Sequence, residues 1–205
     1  MTPVRFTVWS DFLCPWCFVA AVRLDALHQQ LGDLLAIEWR AFLLRPTVEE
    51  RPLDKFTRYT ERWLLGPGAA EPDAPFQVWS GAHAPPSHSL PSWIAGKAVR
   101  HEFGADGFDR FHLALMRAYF ADNRTISDRA VILDVAASVG LDADALAARL
   151  DSSFDAFEAE VIADHKAALA AGIAAVPTAV VNDEYMLQGA MQREQYHRVV
   201  SRLAS

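Results

Sequence analysis

The stretch Ser10–Phe18, SDFLCPWCF, contains both cysteines of this 205-residue chain, Cys14 and Cys17. Two cysteines at this spacing can be a redox pair, half of a metal site, a structural disulfide or two core residues. Proline after the first cysteine suits the first position of a helix, because its ring fixes φ and no N–H is needed there. We therefore predict that a helix begins at Pro15 and that Cys14 is its N-cap.

A helix N-terminus favours a reactive sulfur at Cys14. Its free N–H groups and the positive end of the helix dipole stabilise an anion, and the thiolate is the nucleophilic form of cysteine. Cys17 lies one turn further on, where it is predicted to be more buried and near enough to form a disulfide with Cys14. The spacing favours a nucleophile followed by a resolving cysteine, since such a pair after a strand is typical of redox proteins.

The other interpretations of the cysteine pair stay open. Free cysteines are often small core hydrophobes. A zinc site needs two further ligands, but the sequence has no second C-x-x-C and no histidine at ligand spacing nearby, so no metal is expected. The first residues lack the basic and apolar regions of a secretory signal, which predicts a cytoplasmic protein, where a permanent structural disulfide is uncommon.

The charge pattern narrows the expected partners. The net charge is −7, and lysines and arginines never cluster, so the sequence offers no basic face for nucleic acid or an anionic membrane. The longest apolar run, residues 12–22, is much shorter than the roughly 20 residues of a membrane-spanning helix. We therefore expect neither nucleic acid nor a membrane as a partner.

Periodicity predicts a β-α-β order around the motif. Residues 4–9 alternate apolar and polar side chains, as a half-buried strand does. Apolar residues then recur at spacings of three and four up to Gly32, which predicts an amphipathic helix. Residues 35–44 return to alternation with aromatic and β-branched content, and they are predicted to form a second strand.

The remainder of the chain is predicted to be mostly helical. Residues 53–150 carry helical spacing without an intervening strand, interrupted by a proline-rich irregular loop at 66–91. Ser127 and Asp142 are candidate N-caps. After one more helix, residues 178–189 are predicted to form a β-hairpin, with its turn at Asn182 and Asp183, and a last helix follows.

Four segments together resemble the DsbA-like thioredoxin-fold family, and within it the FrnE-like cytosolic branch. They are SDFLCPWCF (10–18), IEWRAFLLRP (37–46), MRAYFADNRTISD (116–128) and VPTAVVNDEYMLQGA (176–190). The resemblance implies an α/β protein, with a thioredoxin-like fold and an inserted all-helical domain. We expect a discontinuous thioredoxin-like domain of residues 1–48 and 152–205, and an inserted domain of residues 49–151.

The resemblance also implies roles for individual residues. Cys14 would be the nucleophile and Cys17 the resolving cysteine. The bond before Pro177 would be cis and would pack beside the Cys14 sulfur, so that the backbone there can pair with an extended substrate. The residues implied to bind substrate are Pro15, Trp16, Val176, Pro177 and Thr178.

The implied function is that of a thiol–disulfide oxidoreductase or isomerase acting on protein or small-molecule disulfides. No cofactor is expected, other than glutathione as a candidate co-substrate. One alternative is a glutathione-dependent isomerase or transferase similar to 2-hydroxychromene-2-carboxylate isomerase, a class that typically has serine where Cys14 stands. Another is a non-enzymatic module that holds extended peptides.

Two neighbours of the cysteines have two interpretations each. Trp16 can shield the thiolate and contact substrate, or it can cap the core. Asp11 can influence the thiol, or it can be a turn aspartate that accepts a hydrogen bond from its own backbone.

Overall fold

The computed structural model describes residues 2–204, so Met1 and Ser205, the ends of the predicted thioredoxin-like domain, lie outside the described residues. The first elements are strand β1 (Val4–Ser10), helix α1 (Pro15–Leu31) and strand β2 (Leu35–Ala41), with a 3₁₀ turn, Gly32–Leu34, before β2. The later helices are α2 (Leu53–Leu65), α3 (Pro67–Ala70), α4 (Leu90–Phe120), α5 (Arg129–Ser138) and α6 (Ala143–Ala170). The chain then forms strands β3 (Thr178–Val181) and β4 (Tyr185–Gln188) and helix α7 (Arg193–Leu203).

The four strands found in the described residues form one mixed sheet in the order β2-β1-β3-β4. β1 pairs in parallel with β2 across the α1 crossover, and it pairs antiparallel with β3 on its other side. Val8 near the end of β1 lies opposite Trp39 of β2 and Ala179 of β3. The carboxyl end of β1, which leads into the cysteine motif, therefore lies at the centre of the sheet.

The predicted hairpin and several predicted helix ends are confirmed. Asn182 and Asp183 have φ values of 50° and 61°, the left-handed pair that suits a two-residue hairpin turn. The side chain of Asp142 caps α6 by accepting from the backbone N–H groups of residues 144 and 145. α1 ends at Gly32, whose φ is 53°.

Two predicted boundaries are wrong. β2 ends at Ala41 and not at residue 44. The N–H of Phe42 still donates to the Ser10 carbonyl of β1, but the following N–H groups bond outside the sheet: that of Leu43 donates to Nδ1 of His165 and that of Leu44 to Oδ2 of Asp11. The N-cap of α5 is Asp128 and not Ser127, whose hydroxyl instead accepts from the backbone of the proline-rich loop.

Two long helices contain breaks where the sequence predicts separate helices. α4 joins two predicted helices across a kink at Gly104, where φ is 73°. α6 likewise joins two predicted helices across a kink at Ser153. This kink lies close to the predicted start of the second thioredoxin-like segment, and the domain limits stay a prediction. Within the irregular loop 66–91, the structure adds the short helix α3.

The helical region packs directly onto the motif helix. Phe18 of α1 stacks on Phe120 of α4, with ring centroids 5.3 Å apart. The side chains of Phe12, Cys14 and Cys17 belong to the same buried cluster. A second cluster, on the sheet and α7, includes Val4, Phe6, Val8, Tyr196 and Val200. In the described part of the chain, no helix has both the length and the apolar character to cross a membrane.

Candidate active site

Cys14 is the N-cap of α1, as predicted. Its backbone is extended, with φ −93° and ψ 116°, and Pro15 occupies the first turn. The Cys14 carbonyl accepts the first helical hydrogen bonds, from the N–H groups of Cys17 at 3.0 Å and Phe18 at 3.2 Å. The sulfur is therefore attached at the positive end of a 17-residue helix.

The second predicted element lies beside this sulfur. The Cys14 thiol donates to the carbonyl oxygen of Val176 over 3.5 Å, although 162 positions separate the two residues. The Val176–Pro177 peptide bond is cis, as the resemblance implies. Thr178 is fully buried, and its hydroxyl donates to the carbonyl of Ala175 at 2.8 Å, which fixes the turn from within.

The two cysteines have different surroundings, and both are free thiols. Cys17 is inaccessible to solvent, and this burial raises the pKa of its thiol well above the ordinary value, with the neighbouring Cys14 acting in the same direction. The backbone of Asp11 and the hydroxyl of Ser10 oppose that shift in the Cys17 pKa. Cys17 is thus held as a neutral thiol below the outer cysteine.

Asp11 connects the motif to the segment after β2. Its Oδ1 accepts from the backbone N–H of Leu13 at 2.6 Å, which confirms the predicted turn aspartate. Its Oδ2 accepts from the N–H of Leu44 at 2.7 Å, a partner that the sequence did not reveal. Complete burial raises the pKa of Asp11 to about 6, against the lowering effects of Ser89, these N–H groups and Arg45. The carboxyl group therefore organises the turn that leads to Cys14.

Trp16 lies at the surface, with 41% of its area exposed. Its ring is next to Gly66 at the end of α2. This exposure does not fit the core-cap interpretation, and it leaves a large aromatic face beside Cys14. A cleft of about 360 Å³ also opens next to the motif, where Leu13 and Leu44 meet the start of α2.

The structure thus brings together five predicted site residues from two distant segments. They are Cys14, Pro15, Trp16 and Cys17 on α1, and Val176 in the turn before β3. Pro177 is buried within the same turn. The sequence did not indicate that Leu44 and Ser89 also pack against this motif through Asp11. Neither Leu44 nor Ser89 has a side-chain type or a spacing that would identify it from the sequence.

Two parts of the chain, residues 5–64 and 83–201, match the family model of the DSBA-like thioredoxin domain. YwbO of Bacillus subtilis, described as uncharacterized, is 23% identical over 212 residues, which cover 97% of this chain and 96% of YwbO. The two matched parts leave out residues 65–82 between them, almost all of which lie within the irregular loop 66–91.

Solved structures show the same fold. The cytosolic disulfide reductase DsbM from Pseudomonas aeruginosa superposes with a TM-score of 0.75 at 19% identity, covering 97% of this chain and 96% of DsbM. A structure of DsbM with GSH gives a TM-score of 0.73. A 2-hydroxychromene-2-carboxylate isomerase gives 0.64 at 18% identity, covering 97% of this chain and 95% of the isomerase. The predicted thioredoxin-like fold is therefore confirmed.

Proposed function

This chain belongs to the DsbA-like thioredoxin domain family, and from that premise we propose that it is a thiol–disulfide oxidoreductase whose redox pair is Cys14 and Cys17. The observation that carries the proposal is the position of Cys14. Its sulfur lies at the N-terminus of α1, 3.5 Å from the Val176 carbonyl oxygen, with Cys17 buried one turn away. That geometry supplies an outer nucleophile, a resolving thiol and a polar backbone edge for substrate.

The proposed reaction starts with the thiolate of Cys14. It attacks one sulfur of a substrate disulfide, which forms a mixed disulfide, breaks the substrate S–S bond and releases the other sulfur as a thiolate that takes up a proton. Cys17 then gives its proton to solvent and attacks the Cys14 sulfur. The Cys14–Cys17 disulfide forms, and the second substrate sulfur leaves and is protonated. The substrate has gained two electrons and two protons, and the cysteine pair has lost them.

Cys14 is 6% exposed and Cys17 is 0% exposed, and this difference supports the order of attack. The Cys17 sulfur is inaccessible to a substrate, and the raised pKa of Cys17 keeps it protonated until a mixed disulfide forms at Cys14. Trp16 and the Val176 carbonyl flank the outer sulfur and are the proposed substrate contacts, with Pro15, Pro177 and Thr178 shaping the surface around them. The same steps in reverse oxidise a substrate dithiol, so the direction follows the reduction potential of the pair.

We propose glutathione as the thiol that returns the pair to its reduced state. Two glutathione molecules supply two electrons and two protons and leave as glutathione disulfide. The likeness to DsbM, one structure of which contains GSH, supports this choice, and the cytosolic setting of DsbM supports a cytoplasmic location here. The substrates would be protein or small-molecule disulfides.

The test is the reduction of insulin disulfides with dithiothreitol as the electron donor. We expect Cys14→Ser to lower the rate to that of dithiothreitol alone, because the nucleophile is lost. Mixed with insulin in the absence of dithiothreitol, Cys17→Ser should accumulate a mixed disulfide, seen by mass spectrometry, because no second thiol of the protein resolves it. Ala156→Ser, on an exposed face of α6, is the matched control and should keep full activity. Full activity in both cysteine variants would refute the proposal.

The isomerase alternative is favoured by one observation, the likeness to a 2-hydroxychromene-2-carboxylate isomerase. In that chemistry the glutathione thiol would act without a protein disulfide. Cys17→Ser separates the two functions, because it should abolish turnover of disulfides and leave a glutathione-dependent isomerisation of 2-hydroxychromene-2-carboxylate unaffected. A peptide-holding module would show neither activity and would suppress aggregation equally well with both cysteines replaced.

A further inference from the structure

A second cleft, of about 540 Å³, lies between α1, β2 and α4. Neither cysteine nor Val176 lines it. Its lining comes from one face of each element: Asp25 and His28 from α1, Trp39 from β2, and Asp109 and His112 from α4. The spacing of three or four residues on the helices explains why these side chains converge. The volume is that of a small-molecule site.

His112 is the least expected group in this lining. It is 1% exposed and lies among aromatic rings, with centroids 4.4 Å from Trp39 and 5.1 Å from Phe12. Burial lowers the pKa of His112 to about 3, so the ring is neutral at physiological pH. Its Nε2 has no hydrogen-bond partner among the described residues. Leaving such a group unpaired costs about 1–3 kcal/mol, which a ligand with a polar group would recover.

Asp109 is the second unpaired group of the cleft. It is half-buried on α4, and it makes no hydrogen bond or ion pair with another described residue. Burial raises the pKa of Asp109 to about 6, and the neighbouring carboxylate of Asp25 adds to the shift, whereas Arg100 and His28 oppose it. The carboxylate is therefore charged at neutral pH, and no hydrogen bond or ion pair with a described residue compensates for its lost hydration.

The charges around the cleft are predominantly negative. The acidic side chains are Asp25, Asp33, Asp106 and Asp109, and the basic ones are Arg100 and His28. Trp39 and Leu113 supply apolar surface beside them. An anion would meet repulsion here, and a purely apolar ligand would leave both Asp109 and His112 without partners. An ammonium group on an aromatic body satisfies the carboxylates and covers the apolar wall.

We propose that this cleft is a binding site for a small organic cation, an amine carried on an aromatic or apolar body. The ammonium pairs with Asp109 and Asp25, the body packs on Trp39, and a polar substituent bonds to Nε2 of His112. The inference is independent of the thiol chemistry, since the cleft contains neither cysteine. Phe12, which contacts His112, links the cleft with the turn that leads to Cys14.

The test uses tyramine, which carries an ammonium group and a hydroxyl on one aromatic ring, and tyrosol, in which an alcohol replaces the amine. Binding is measured on the intact protein by calorimetry and by the ¹⁵N resonances of the His112 imidazole. We expect tyramine to bind about tenfold more tightly than tyrosol and to shift the His112 resonances. Asp109→Asn should remove the preference for the amine, whereas Asp155→Asn, an exposed carboxylate on α6, should retain it.

Acidification gives a second measurement. Tyramine affinity should fall between about pH 7 and about pH 5, since Asp109 loses its charge there. The other groups that face Asp109 are Asp25 and His28 on α1 and Arg100 and Asp106 on α4. Burial also raises the pKa of Asp25, so loss of its charge acts in the same direction. Equal affinity for tyramine and tyrosol, an unchanged preference in Asp109→Asn, or no saturable shift of His112 at millimolar tyramine would each overturn the proposal.

Discussion

The turn that leads to Cys14 and the cleft between α1, β2 and α4 each contain a carboxyl group removed from water. Burial raises the pKa of both Asp11 and Asp109 to about 6. The two carboxyl groups differ in the hydrogen bonds that they accept. Asp11 accepts two backbone hydrogen bonds, from Leu13 and Leu44. Asp109 accepts none from a described residue.

A raised pKa thus reports the free energy of burying a charge and does not identify why the charge is there. The two hydrogen bonds explain why a carboxylate is buried at Asp11, because two backbone N–H groups near the cysteines need an acceptor. At Asp109 no structural need is met, so a ligand explains the carboxylate better. The same substitution should therefore have opposite effects on stability at the two positions.

The largest effect is expected from Asp11→Ala. It leaves two N–H groups without an acceptor, at Leu13 and at Leu44, and should lower the free energy of unfolding by about 2–4 kcal/mol at neutral pH. Urea denaturation followed by circular dichroism measures it. Asp155→Ala on the exposed face of α6 is the control and should change stability little. A loss no larger than that of the control would show that Asp11 does not organise the turn.

The next effect is a pH dependence due to Asp11. Its folded pKa of about 6 lies above the ordinary value of 3.8 for an aspartate. The folded state therefore binds the proton more tightly, and stability from this group increases as pH falls through that window. When the pH falls from about 7 to about 5, the free energy of unfolding of the wild type should therefore increase by about 1 kcal/mol relative to that of Asp11→Ala. Parallel curves for the two proteins would contradict the raised pKa.

The smallest effect is expected from Asp109→Ala. No hydrogen bond is lost, an unpaired carboxylate is removed, and alanine has the higher helix propensity, so stability should increase by about 0.5–1 kcal/mol. Differential scanning calorimetry should show a higher Tm than in the wild type. Destabilisation by more than about 1 kcal/mol would mean that Asp109 has a structural partner, and the two carboxylates would then be alike.

Much of the fold could be predicted from local patterns. Alternation over residues 4–9 and helical spacing after Pro15 each depend on neighbours in sequence, and both elements form. The end of β2 could not be predicted in this way, because the N–H groups of Leu43 and Leu44 donate to His165 and Asp11, which are distant in sequence. The break at Ser153, in contrast, lies where local patterns predict that one helix ends and the next begins.

The sequence by itself determined the cysteine pair, the proline that starts α1 and thus the position of Cys14 at a helix N-terminus, because these depend on adjacent residues. The resemblance pointed to Val176 and Pro177. Only the tertiary structure decided that the Cys14 thiol donates to the Val176 carbonyl and that the Leu44 N–H donates to Asp11. It also decided that Nε2 of His112, a residue lining the cleft, has no hydrogen-bond partner among the described residues. Such contacts join residues that are far apart in the chain, and packing alone sets their distances.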